Sequence, residues 1–234
     1  AGNEKKLNFD IRKFEKYKSK INYIVIDDLP KVVKKFKKHW HTAHARDQFQ
    51  RNSLVRGLSN CDPDDLIMIS DLDEIPNPEK ISEFKKENKY VCFEQANFLL
   101  KFNLLNTSEP KWYGTRMCRK KDLKSPQWLR EIKARKIPFY KFYKPKFDKF
   151  IQNGGWHFSS VKDVKGIYKK LNSYSEQQFN NERYKDIEII KSKIKQKKDL
   201  FDRNYNYKVL KIDNTFPKYI YNNKEELKEL LYEI

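Results

Sequence analysis

Three cysteines in 234 residues, Cys61, Cys92 and Cys118, are an odd number with no metal-ligand spacing. A disulfide framework is therefore not expected, and reduced thiols in a cytoplasm-like compartment are the simplest reading. No apolar run approaches the roughly 20 residues that span a bilayer. The first 20 residues are polar and Lys-rich and lack a secretory-signal pattern. The expected location is cytoplasmic, so the sequon Asn106-Thr107-Ser108 reads as a chance match. Acidic residues are outnumbered, 32 against 51 Lys and Arg, for a net charge of +19. The Lys excess is dispersed in short clusters such as Lys34–Lys38 and Lys165–Lys170. Dispersed charge of this kind is more often a solvated surface than a nucleic-acid stripe. It suits a nucleotide diphosphate, an anionic acceptor or peripheral contact with an anionic membrane.

What is abundant is aromatic: 16 Phe, 14 Tyr and 4 Trp, a load that argues for a folded core beneath a charged surface. No repeat or low-complexity linker divides the chain, so a single domain over 1–234 is expected. Ile21–Ile26 and Asp65–Ser70 are short apolar runs that read as buried strands, and Tyr90–Phe98 as a third. Segments 31–59 and 78–87 read as helices between them. This order of strand, helix, strand, helix and strand is that of an α/β fold, with continuous apolarity favouring a mixed, mostly parallel sheet. Residues 107–155 read as irregular and aromatic. Beyond them, 161–171, 182–200 and 223–232 read as helices, and Tyr207–Ile212 as a last strand.

In open α/β sheets, ligands bind beyond the carboxyl ends of strands. Ser70-Asp71-Leu72-Asp73-Glu74-Ile75-Pro76 stands at such an end, with three carboxylates in four residues. Their mutual repulsion calls for a divalent cation or a pair of cationic side chains. In extended chain Asp71 and Asp73 would point to one side, and hard carboxylate oxygens suit Mg²⁺ or Mn²⁺. An isolated Asp-x-Asp is common by chance; the strand, the third carboxylate and Pro76 and Pro78 favour function here.

Gly154-Gly155-Trp156-His157-Phe158-Ser159 is the second candidate. Its glycines permit close backbone approach or positive φ, and Trp156 offers a flat face to a sugar or base. His157 would complete a metal shell and favour Mn²⁺ over Mg²⁺; the bland alternative is a hydrogen-bonded core histidine. His39, His41 and His44 read as surface residues of a Lys-rich helix. Arg46, Arg51, Arg116, Arg119 and Arg130 stand out in a Lys-rich chain as forks for phosphate or carboxylate.

These blocks, taken together, resemble glycosyltransferase family 17. The matching stretches are Arg46–Asn52 with Arg56-Gly57-Leu58, Asp64-Asp65 leading into Ser70–Pro76, Trp112–Thr115, Gly154–Ser159 and Phe216–Ile220. They fall in family order and cover nearly the whole chain. The resemblance implies a GT-A-like fold, a UDP-sugar donor carrying N-acetylglucosamine, a glycan or glycoconjugate acceptor, a divalent metal and inversion at the anomeric carbon. It places the metal on Asp71, Asp73 and His157. Donor-binding residues would be Arg46, Arg51, Asp71, Arg130, Gly154, Gly155 and Trp156, with Asp73 and Glu74 catalytic. Glu74 is the favoured proton acceptor over Glu94, Asp122 and Glu131. Residues 1–106 would form the nucleotide-sugar and metal half and 107–234 the acceptor half. Where the family carries His-x-Glu this chain has Glu176-Gln177-Gln178, so no role transfers there. A start at Ala1-Gly2-Asn3, partway through the expected fold, reads as a fragment lacking the first strand–helix–strand unit. Competing readings are a metal-dependent phosphodiesterase or nuclease, and a basic nucleic-acid-binding module.

Overall fold

A computed structural model describes residues 9–29, 40–134, 143–172, 184 and 186–233. Among these, eight strands form one mixed sheet: β1 Leu66–Ile69, β2 Glu74–Pro76, β3 Tyr90–Leu99, β4 Leu104–Asn106, β5 Lys111–Arg119, β6 Lys149–Ile151, β7 Gly155–Ser159 and β8 Tyr207–Val209. The helices are α1 Trp40–Asn52, α2 Pro126–Glu131, α3 Val164–Asn172, α4 Ile187–Lys195 and α5 Lys218–Asn222, with several 3₁₀ turns. The architecture is α/β, a mixed central sheet flanked by helices.

The sheet is mostly antiparallel rather than mostly parallel. The two parallel pairings, with β6 and with β7, both involve β3; the other pairings run antiparallel. Continuous apolarity in 65–70 reports burial, not strand direction: Ile67 and Ile69 are buried beside an antiparallel partner. The largest departure is β5. Residues 107–155 were expected to be irregular, yet 111–119 pair with both β1 and β3. Lys111, Arg116 and Arg119 break up the apolar pattern of this strand, although Trp112, Tyr113, Thr115 and Met117 are good strand formers.

Residues 21–26 are not a strand. They run as irregular chain outside the sheet with Tyr23 and Val25 about half exposed. The expected helix at 78–87 is a 3₁₀ turn over Pro78–Glu83, and 223–232 holds only a 3₁₀ turn at Lys228–Leu230. The last strand ends at Val209. Segments 30–39 and 173–183, with Glu176-Gln177-Gln178, lie outside the described residues. The three thiols are free, and burial pushes those of Cys92 and Cys118 up to about 12. Asn106 is buried, which closes its sequon to glycosylation.

Two packing units position the site. Ile67, Ile69, Cys92, Cys118 and Leu129 join α2 to β1, β3 and β5. Leu100, Leu104, Ile167, Leu171 and Ile190 join α3 and α4 to the end of β3. The clefts described next lie where the ends of β3 and β7 meet these helices.

Candidate active site

The acidic segment is a tight turn, not extended chain. The Glu74 N–H donates to the Asp71 carbonyl at 3.0 Å, and the Glu74 carboxylate accepts from the Asp71 N–H at 3.0 Å. Leu72, at the tip, is fully exposed. The turn sends Asp71 and Glu74 towards α2 and leaves Asp73 on the side of β7, where its carbonyl accepts from the Phe158 N–H at 2.8 Å.

Two arginines neutralise the first group. Arg130 donates to Asp71 Oδ2 at 2.7 Å and to both oxygens of Glu74 at 2.9 Å, and Arg51 donates to Asp71 Oδ1 at 3.2 Å. Local sequence sets this up: Ser125 caps α2 by accepting from the Trp128 N–H, Pro126 opens it, and Arg130 falls in its last turn. The Trp112 indole N–H on β5 donates to Glu74 Oε1 at 2.8 Å. Glu74 is fully buried at its side chain and has both oxygens engaged. An acceptor hydroxyl has no access to it in this arrangement.

Asp73 carries neither arginine and is about one-third exposed. Its Oδ2 lies 3.9 Å from His157 Nε2. His157 pairs with Glu74 across β2 and β7, is buried, and stacks on Trp112 with ring centroids 4.2 Å apart and planes 10° apart. Its Nδ1 is 2.9 Å from Asn97 Oδ1, a carbonyl that only accepts, so the ring proton sits on Nδ1. Burial pushes the imidazole pKa down against the opposing pull of Asp73 and Glu74. The neutral ring therefore presents an Nε2 lone pair to Asp73.

This pair fits a divalent cation: one carboxylate oxygen and one imidazole nitrogen on the same side, with room for further ligands. Asp71 fits less well, because both its oxygens already carry guanidinium charge. No group of three or more His, Cys, Asp or Glu residues arranged for a metal occurs among the described residues. Any such ion would thus draw its remaining ligands from water or substrate.

Asp71, Asp73, Trp112 and His157 line one end of a cleft of about 390 Å³. Lys170 of α3 lines it too, with its Nζ 3.1 Å from Ser160 Oγ, and burial lowers its pKa against the pull of Asp73. A second, more apolar cavity of about 620 Å³ is walled by Ile75, Phe102, Phe158 and Tyr219. The two cavities share Asp73, Ser160 and Lys170. The cleft takes Asp73 from the expected donor half and His157 from the expected acceptor half, so both build it.

Other expected residues lie elsewhere. Gly155 adopts φ +139°, and a Cβ there would meet the Ile75 carbonyl at 2.1 Å; one on Gly154 would meet the Ile151 carbonyl at 2.8 Å. These glycines let β7 close against β2 and β3. Trp156 and Gly155 line a separate cavity, and on a strand successive side chains face opposite ways, so Trp156 is turned away from His157's cleft. Arg46 lies on α1, with its Nε buried and without a hydrogen-bond partner among the described residues. Arg116 donates to the Gly114 carbonyl, and Arg119 to carbonyls of the 85–88 segment. Glu94 pairs with Lys111, Asp122 with Lys89, and Glu131 accepts from Gln127. Lys170, Asn97 and the indole N–H of Trp112 were not assigned roles from sequence. Lys170 is one of many lysines, and the other two are recognisable only once β3, β5 and β7 are paired.

The profile of glycosyltransferase family 17 matches residues 1–231. The chain belongs to that family. No curated protein and no solved structure matches it. Family 17 membership makes it a glycosyltransferase, working on a sugar donor and a glycan acceptor in general terms. Among the described residues no helix is long and apolar enough to cross a membrane.

Proposed function

We propose that this family 17 enzyme moves a sugar, N-acetylglucosamine by family resemblance, from a UDP-sugar to a glycan or glycoconjugate acceptor with inversion. The observation that carries this reading is the meeting of two unlike cavities at Asp73, Ser160 and Lys170. A transfer reaction needs two substrates to touch at one point. The more polar cleft, with its charged groups at Asp73 and Lys170, suits the donor, and the apolar, Tyr219-walled cavity suits the carbon-bound face of an acceptor sugar or its aglycone.

Asp73 and His157 would hold Mn²⁺ or Mg²⁺, which when bound supplies positive charge against the donor diphosphate. Lys170 faces the same position and adds a second cation for the charge that develops on the departing UDP. Arg51, Arg130 and Trp112 keep Asp71 and Glu74 in place, which fixes the turn that aims Asp73. Glu74 then acts on the reaction by positioning.

The test is UDP release from UDP-N-acetylglucosamine, UDP-glucose and UDP-galactose, with Mn²⁺ or EDTA. Mn²⁺-dependent release, fastest with the first donor, supports the proposal. Hydrolysis of a phosphodiester or nucleic acid, with no UDP formed from any donor, would overturn it.

A further inference from the structure

From His157 a hydrogen-bonded string runs along one wall of the donor cleft. His157 Nδ1 donates to Asn97 Oδ1 at 2.9 Å, Asn97 Nδ2 donates to the Glu109 carbonyl at 2.9 Å, and the Glu109 N–H donates to Asn106 Oδ1 at 3.0 Å. The Ser108 N–H also donates to Asn106 Oδ1 at 3.0 Å. The Asn106 amide is thus held in one orientation by two backbone donors, which identifies its oxygen and its nitrogen without ambiguity. The residue lines the cleft and is only 1% exposed, yet its Nδ2 has no hydrogen-bond partner among the described residues. A buried N–H group left unmatched is destabilising, and such groups in native proteins are commonly completed by a ligand or an ordered water.

The chemistry around Asn106 differs from that at the other end of the cleft. Near Asp73 stand a carboxylate, an imidazole and Lys170, groups suited to a cation and a diphosphate. Near Asn106 stand Glu109 and Tyr205, which line the same part of the cleft, and Arg203, which is closed onto Asp199 at 2.6 Å and lies over the Tyr205 ring at 4.6 Å. With Arg203 and Asp199 cancelling, this end offers an amide donor, a carboxylate acceptor and an aromatic edge, with no spare positive charge for phosphate. That mixture matches the alternating donors and acceptors of a pyranose.

We propose that Asn106 and Glu109 form the sugar-recognition end of the donor cleft, Asn106 Nδ2 donating to an oxygen of the transferred sugar and Glu109 accepting from one of its hydroxyls. The string to His157 ties this subsite rigidly to the proposed cation pair, so the sugar and the diphosphate are held in fixed register. The inference rests on the UDP-sugar reading above.

Calorimetry in Mn²⁺ with UDP and with UDP-N-acetylglucosamine as probes separates the two ideas. Asn106→Asp keeps the Oδ1 that the two backbone N–H groups require and replaces the amino group with an acceptor. It should weaken UDP-N-acetylglucosamine at least tenfold while changing UDP affinity less than twofold. Glu109 is exposed, so Glu109→Gln leaves the fold intact even where a buried carboxylate at 106 does not. It should show the same selectivity, with a smaller loss of threefold or more. Wild-type-like affinity for UDP-N-acetylglucosamine in Glu109→Gln, or an equal loss for both probes in either folded variant, overturns the subsite. A wild-type protein that binds neither probe overturns the donor reading itself, and the subsite with it.

Discussion

Within four residues, the acidic turn treats its carboxylates in opposite ways. Asp71 and Glu74 face α2 and are held by Arg130, Arg51 and Trp112. Asp73 faces the cleft, with no arginine and with a neutral imidazole 3.9 Å away. The first group is satisfied by the protein alone; the second is left with capacity for something else. A row of carboxylates in sequence is thus not one site. The turn sorts them, and only the residue that escapes internal neutralisation is available for chemistry.

The largest expected effect tests the satisfied side. Arg130→Met leaves the fully buried Glu74 carboxylate without its main counter-charge and should cost about 3–5 kcal/mol. The urea midpoint measures this, and a loss below about 1 kcal/mol would mean that Glu74 does not depend on the clamp. Next comes Trp112→Phe, which keeps a ring against His157 and removes one donor to Glu74 Oε1. Its cost should be about 1–2 kcal/mol, because Arg130 still reaches that oxygen.

A surface pair sharpens the role of burial. Glu83 is also held by two cations, Lys149 and Lys80, which lower its pKa to about 2. Its side chain is one-third exposed, so solvent screening should keep the contribution under about 1 kcal/mol. Because the folded pKa is depressed, the contribution is complete above the unfolded value of about 4.3. It is lost as pH falls through about 2. Glu83→Gln should flatten the stability profile only in that acid window; a comparable loss at pH 7 and pH 2 would contradict it. The smallest effect belongs to the open side. Asp73→Asn should change stability by less than about 0.5 kcal/mol, since its carboxylate is more than one-third exposed and its pull on Lys170 is screened by solvent; a melting temperature several degrees lower would erase the contrast.

Much of the site could be read from sequence as chemistry, and less of it as geometry. The cluster at Asp71–Glu74 announced a need for positive charge, and one of its two anticipated remedies, a pair of cationic side chains, is present as Arg51 and Arg130. Their rarity among lysines made them visible. Local alternation suggests an extended Asp-Leu-Asp and cannot foresee a turn closed by Glu74's own carboxylate. Gly154 and Gly155 were marked for close approach, correctly, but what approaches is the neighbouring strands rather than a ligand. Of the fold, the α/β class was legible from apolar runs, but not the element order, since 21–26 is irregular chain and 78–83 is a 3₁₀ turn. The antiparallel pairing and β5 were not, since apolar runs carry no direction and charged residues interrupt β5. Residues 21–26 look like a strand by composition alone; outside the sheet Tyr23 and Val25 stay about half exposed, Tyr23 stacked on Phe9.

On the proposed function, Asp73 and His157 hold the cation through which UDP binds. Calorimetric titration of UDP in Mn²⁺ and in EDTA, for the wild type and Asp73→Asn, tests it most directly. The wild type should bind at least tenfold more tightly in Mn²⁺, and Asp73→Asn equally and weakly in both buffers. Equal UDP affinity of the wild type in Mn²⁺ and EDTA would contradict it, as would an undiminished Mn²⁺ effect in Asp73→Asn.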